Sequence, residues 1–276
     1  MSLRRIGIES WGVRVAVEWS DPALDQPLEE MLVGPWKPTR SDTMLASYRF
    51  SRRPAGNPEL HSPEGEVLLL TKADPGSSLE RHLQLYVASH TRMAAFVHAG
   101  VVGVEGGALV IPGPSHSGKS SLVFALCQRG ATYFSDEYAI LDPQGRVHPH
   151  PRRLALRELG GAQKRLCPFQ PGWRVGSEAL PLRGVLLSPF VAEARWRPQS
   201  ISRGEGALRL LENTVSAQLA PDLCLACLSR AVQSAECLES PRGEAEEAAW
   251  EILAYFAENL PLPTSRTFPT QPKGEA

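Results

Sequence analysis

Over residues 1 to about 75, short apolar runs such as Val13-Arg14-Val15-Ala16-Val17 alternate with breaks containing proline or glycine, which predicts short strands joined by turns. The periodicity changes at Ser77-Ser78-Leu79-Glu80. Leu79, Leu83 and Val87 recur at the spacing of one helical face and predict a helix through about residue 93, with Ser77 or Ser78 as its cap. From residue 94, strands are expected at 96–104 and 108–111 around a Gly-Gly turn, then a loop, a helix to about residue 129 and a strand at 132–134. A strand at 138–141 meets the turn Asp142-Pro143-Gln144-Gly145 and returns through Val147. Further strands are expected at 184–187 and 194–197, and helices at 205–218, 222–232 and 243–259. The segment from Pro261, with Pro, Thr, Ser and Gln, reads as a disordered tail. The pattern therefore predicts an α/β fold in three parts: a β-rich region over 1–75, an α/β domain over 76–260 and the tail over 261–276.

Composition changes this picture mainly by exclusion. A chain of 276 residues with 42% hydrophobic content is long enough to bury a sizeable core. A net charge of -1 without a long run of one sign argues against a nucleic-acid partner recruited by bulk electrostatics. No apolar run approaches the length of about eighteen residues needed to span a bilayer, and the N-terminus lacks a signal-peptide pattern, so a cytoplasmic protein with no membrane partner is expected. Five cysteines, an odd number, fit reduced thiols, with Cys224 and Cys227 in an apolar helical run expected in the core. His148-Pro149-His150 offers only two ligands in a Pro- and Arg-rich connection and reads as a surface loop. The scattered tryptophans Trp11, Trp36, Trp173, Trp196 and Trp250 read as core or edge packing.

The candidate chemistry begins after the strand at 108–111. Gly113-Pro114-Ser115-His116-Ser117-Gly118-Lys119-Ser120 fills every fixed position of the Walker A pattern, with an apolar strand before it and a helical run from Ser121 after it. Backbone amides at such a helix N-terminus point at a common anion site, so residues 113–121 are expected to bind a nucleotide phosphate. Lys119 is expected to meet the β- and γ-phosphates, and Ser120 a magnesium ion. His116 stands where similar loops often carry glycine; where that position needs positive φ, histidine tolerates it better than a β-branched residue.

Phosphoryl transfer also needs a carboxylate for magnesium, a base for the nucleophile and cations for the phosphoryl oxygens. Asp136-Glu137 follows a strand end, and in an open α/β sheet a carboxylate after the strand next to the Walker strand points at the γ-phosphate; a solvated acidic pair at a turn is the alternative. His98, in the strand before the loop, is by spacing alone either a satisfied half-buried residue or a member of the site.

Phe96-Val97-His98-Ala99-Gly100-Val101-Val102, the loop at 113–120, and Gln128-Arg129-Gly130 followed by Ser135-Asp136-Glu137 resemble the catalytic domain of HPr kinase/phosphorylase and its kinase-like relatives. The similarity is clear over roughly residues 94–145 and weaker to about 260, where Pro181-Leu182-Arg183-Gly184-Val185 resembles a later family motif. The resemblance implies a small P-loop kinase fold related to phosphoenolpyruvate carboxykinase, which uses ATP and Mg2+ to phosphorylate a serine of a peptide or protein. It makes His98 a site residue near the acidic pair. Asp136 and Glu137 match two consecutive aspartates, one the general base and the other assisting the metal or the base, so Ser120 and Asp136 are the expected metal ligands. Arg183 matches an arginine that meets phosphate oxygens, a structural pair with a carboxylate being the other reading.

Two positions depart from the family. Glu137 stands where it has aspartate, and Pro181 where the bifunctional enzymes carry a glutamate that contributes to magnesium binding. The second departure weakens the case for phosphorylase chemistry, and the expected protein is a divergent serine kinase with a different acceptor. A catalytically silent ATP-binding regulatory or assembly module, and a small-molecule kinase, are the alternatives. The sequence leaves the oligomeric state open, a homo-oligomer included.

Overall fold

The computed structural model describes residues 2–31, 36–40, 43–52, 57–70, 75–157, 163–169 and 172–259. The segment from Pro261, expected as a tail, lies outside the described residues. The fold is mixed α/β. Strands β1 (Arg4–Ser10), β2 (Val13–Trp19), β3 (Lys37–Thr39), β4 (Ala46–Arg52), β5 (Pro58–His61) and β6 (Val67–Leu69) form a six-stranded sheet in the order β3-β1-β2-β4-β5-β6. Helix α1 (Asp25–Met31) lies between β2 and β3 in the chain, and α2 (Pro75–His90) follows the sheet. Helix α2 opens two residues before the serines expected as its cap.

The second sheet has eight strands. Strands β7 (Ala95–Val104), β8 (Gly107–Pro112), β9 (Thr132–Ser135), β10 (Tyr138–Leu141) and β11 (Arg146–His148) are joined by short turns, except that α3 (Lys119–Gln128) connects β8 to β9. A hairpin of β12 (Leu154–Arg157) and β13 (Gln163–Leu166) forms its own two-stranded sheet. Then come β14 (Leu180–Leu187), β15 (Gln199–Ser200), α4 (Arg203–Glu212), α5 (Pro221–Ala231), β16 (Glu236–Glu239) and α6 (Ala245–Asn259). The sheet order is β11-β10-β7-β8-β14-β16-β15, with β9 paired to β7; β14 is parallel to both β8 and β16. A further antiparallel pairing of β11 with β14 closes β11, β10, β7, β8 and β14 into a ring.

Strand β7 is the hub, because its residues reach all three cores. Phe96 joins Tyr138, Ile140 and the α2 residues Leu79, Leu83 and Val87 in the core of the N-terminal sheet. Ala95, Val97, Ala99 and Val101 pack with α4 and α5, where Cys224 and Cys227 are fully buried free thiols, as expected from the sequence. Val102 joins Leu109 and Ile111 of β8, Leu122 and Leu126 of α3, and Ile252 and Phe256 of α6. The N-terminal region thus shares a core with the second sheet, and α2 packs with that region.

Two expected elements differ. The helix expected at 205–218 ends at Glu212, because residues 213–215 pair with the edge of β7: Asn213 O accepts from His98 N at 2.7 Å, and Val215 N donates to Phe96 O at 2.9 Å. Residues 194–197 form no strand. Trp196 turns into the core, the Arg197 amide donates to Ser240 Oγ at 2.7 Å, and only Gln199–Ser200 pairs with β16. Trp250 also departs from the packing expected of it, being 68% exposed on α6. Among the described residues no helix is long and apolar enough to cross a membrane.

Candidate functional site

The loop at 113–118 leaves the C-terminal end of β8 and enters α3. Gly118 caps the helix in the left-handed region (φ 83°), and no side chain caps the helix there. The first-turn amides therefore keep their donors and their positive dipole end for an anion. His116 is also left-handed (φ 71°), the conformation anticipated for a residue standing in a glycine position. Close packing sets the helix in place: a Cβ on Gly100 of β7 would lie 2.6 Å from Val123 Cγ2 of α3. The Lys119 ammonium is buried and donates to the carbonyls of Gly113 (2.8 Å) and Pro114 (2.7 Å). Burial lowers its pKa, against the pull of Glu137 and Asp136.

A cavity of about 340 Å³ opens over this loop. Ser115, His116 and residues 118–121 line one side, and His98, Asp136 and Glu137 the other. The acidic pair leaves β9, which pairs with β7 and not with β8; β7 lies between, and contributes His98 to the same cavity. The strand carrying the acids is therefore one position further out than the sequence suggests. Ser135 fixes the turn, its Oγ accepting from the amides of Glu137 (3.2 Å) and Tyr138 (3.1 Å).

The two carboxylates have different surroundings. Asp136 is buried and accepts from Ser120 Oγ (3.3 Å), Tyr133 OH (3.1 Å) and Ala155 N (3.2 Å). Burial raises its pKa, opposed by the Arg152 guanidinium and the Ala155 amide. Glu137 is more open, with a side chain 32% exposed, and lies 3.6 Å from His98 Nε2 through Oε1 and 3.5 Å from Arg152 Nη1 through Oε2. Burial first and the Lys119 charge second pull the His98 pKa down to about 4, so its imidazole is neutral at physiological pH. The backbone locks both residues together, since Ala99 N donates to Glu137 O at 3.0 Å.

Arg183 is not in this site. Strand β14 runs parallel to β8 with Gly184 opposite Leu109, so Arg183 lies beside Gly107, at the end of β8 away from the loop. Its guanidinium donates to Phe256 O (2.8 Å) and pairs with Glu105 (3.3 Å), which is the structural alternative. Pro181 lies at the same end, opposite Arg146, so the missing carboxylate there does not concern the loop.

Three residues of the site carried no sequence signal. Arg152 faces Glu137 from the connection between β11 and β12; Tyr133 binds Asp136; and Arg242, 1% exposed, donates from Nη2 to Gly118 O at 2.7 Å and holds the start of α3. The same connection corrects a second expectation. His150 is buried at 2% exposure against Phe96 and Tyr138 instead of lying in a surface loop, and His148 is half-buried and bonded to Asp142 at 2.6 Å. No protein-family model matches this sequence, and no curated protein matches it.

Proposed function

We propose that this protein is an ATP-dependent kinase, on a P-loop kinase fold of the HPr kinase type, that transfers the γ-phosphate to a serine or threonine hydroxyl of a peptide or protein. One observation carries the reading: the uncapped helix start at Gly118, the Ser120–Asp136 pair and the His98–Glu137 pair all border a single cavity. Ser120 and Asp136 fit a magnesium site, a hydroxyl beside a buried carboxylate. Magnesium takes one or two protein ligands and completes its shell with phosphate and water. When bound, the ion neutralises charge on the phosphates.

The chain's own groups divide the remaining work. The amides of the first turn of α3 bind phosphate oxygens, and Lys119 exchanges its two loop carbonyls for them. Glu137, the more accessible carboxylate, takes the proton of the acceptor hydroxyl as that oxygen attacks the γ-phosphorus; the bond to the bridging oxygen breaks and ADP leaves. Neutral His98, 3.6 Å from Oε1, adds no charge beside the base. Asp136, deep and beside Ser120, serves the metal.

The test incubates the protein with labelled ATP, magnesium and cell extract, beside Lys119→Ala and Asp136→Asn. Label in a macromolecule with wild type alone supports the reading, and equal labelling by all three overturns it. Label only in a product that passes a small-pore filter indicates a small-molecule kinase. Thermal stabilisation by ATP that Lys119→Ala abolishes, without transfer to anything, indicates a silent binding module.

A further inference from the structure

Helix α2 carries a feature that its packing does not require. Leu79, Leu83 and Val87 bury its apolar face in the N-terminal core, yet Glu80 and Gln84, one turn apart on a different face, are also buried, at 8% and 2% exposure. Burying polar groups costs stability unless each is matched, so this pair needs a partner. That partner is Arg152: its Nη1 donates to Gln84 Oε1 at 2.8 Å, while Gln84 Nε2 donates to Glu80 Oε1 at 3.3 Å. The same Nη1 lies 3.5 Å from Glu137 Oε2.

We infer that Arg152 is the positioning residue for Glu137 and is itself aimed by Gln84 and Glu80, so that helix α2 sets the geometry of the base; this rests on the kinase reading above. Arg152 does not border the cavity and acts through the carboxylates beside it. Its backbone is tied to the other acid, since the Tyr133 hydroxyl lies 3.1 Å from both Arg152 O and Asp136 Oδ1. Its charge is secure: burial works against it, but Glu80, Asp136 and Glu137 together outweigh burial and raise its pKa. Without the guanidinium, Glu137 is free to swing toward His98, and the atom that receives the hydroxyl proton leaves its place. A displacement of about 1 Å at such an atom costs on the order of a hundredfold in rate.

The experiment uses the full chain and the variants Arg152→Lys, Arg152→Met, Gln84→Leu and Glu137→Gln. With labelled ATP, Arg152→Met is expected to lower kcat about a hundredfold with the KM for ATP nearly unchanged. Arg152→Lys, which keeps the charge and loses the fork, is expected to recover about tenfold of that loss, and Gln84→Leu to lower kcat about tenfold. A denaturation cycle on Gln84→Leu, Glu137→Gln and their double variant needs no activity. Among the described residues these two meet through Arg152, so the unfolding equilibrium constant of the double variant is expected to differ from the additive value by about threefold or more. Additive behaviour in the cycle, or wild-type kcat in Gln84→Leu and Arg152→Lys, overturns the inference. If wild type binds ATP and transfers nothing, the kinase reading falls and the cycle alone decides whether Arg152 links Gln84 to Glu137. Should Arg152→Met fail to fold, Gln84→Leu and Arg152→Lys carry both arms.

Discussion

His150 offers the sharpest physical test of this structure. Among the described residues neither of its buried ring nitrogens has a hydrogen-bond partner, and the ring meets Phe96 and Tyr138 at centroid distances of 6.2 and 6.4 Å. Burial, and after it the Arg152 charge, pull its pKa from 6.5 to about 3. A lowered histidine pKa means that the unfolded chain binds more protons than the native state between these two values, so stability is whole above pH 6.5 and is lost as pH falls toward 3. For one such group the loss is about 0.2 kcal/mol at pH 7 and about 2 kcal/mol at pH 5. Replacing His150 by leucine keeps a similar volume and removes both unpartnered atoms. At pH 7 the variant is expected to be as stable as wild type or more stable, by about 1–3 kcal/mol, because the two buried ring nitrogens are gone. At pH 5 its advantage is expected to grow by a further amount of about 2 kcal/mol. His98 titrates in the same direction, but it is present in both proteins and cancels from the difference. Urea denaturation followed by tryptophan fluorescence at pH 7 and pH 5 measures the gap, and a gap of the same size at both values refutes the reasoning.

Two further substitutions test the loop and the correction of Arg183. Gly118→Ala places a side chain at φ 83° with its Cβ 2.5 Å from Arg242 Nη2, which strains the backbone and pushes the guanidinium off Gly118 O. The expected loss is about 2–4 kcal/mol of stability together with weaker ATP binding, read by denaturation and calorimetry; unchanged stability would count against the left-handed cap. Arg183→Ala is expected to cost about 1–3 kcal/mol through its bonds to Phe256 O and Glu105 while leaving ATP affinity as in wild type. An affinity loss there, in a protein that is still folded at the assay temperature, would return Arg183 to the proposed nucleotide site.

The expectations that held are those carried by short-range pattern. The strand, loop and helix around residues 107–128, the turn at 142–145 and the helix on Leu79, Leu83 and Val87 were all legible, because periodicity and turn chemistry act over a few residues. That Asp136-Glu137 meets the loop was legible as an expectation from where strand ends converge in an open α/β sheet, whereas His98 joined them only through a resemblance, since no local rule brings together residues 38 positions apart. Helix α4 ends at Glu212 and not at residue 218 because the edge of β7 claims the next residues, a long-range pairing that overrides helical propensity. Arg152 and Arg242 looked like any of the many arginines in the chain. Their roles come from being buried opposite a carboxylate and a loop carbonyl.

By itself the sequence determined the loop at 113–118 and its flanking elements, since glycines, a lysine and a serine at fixed spacing state their conformation locally. Only the tertiary structure decided which acid lies beside Ser120 and which faces His98, that Arg152 and not Arg183 pairs with an acid there, and that helix α2 is linked to that acid through Arg152. Those outcomes depend on strand order and burial, which put β7 between the loop and the acids, run Arg183 to the far end of β8, and leave one buried guanidinium between Gln84 and Glu137.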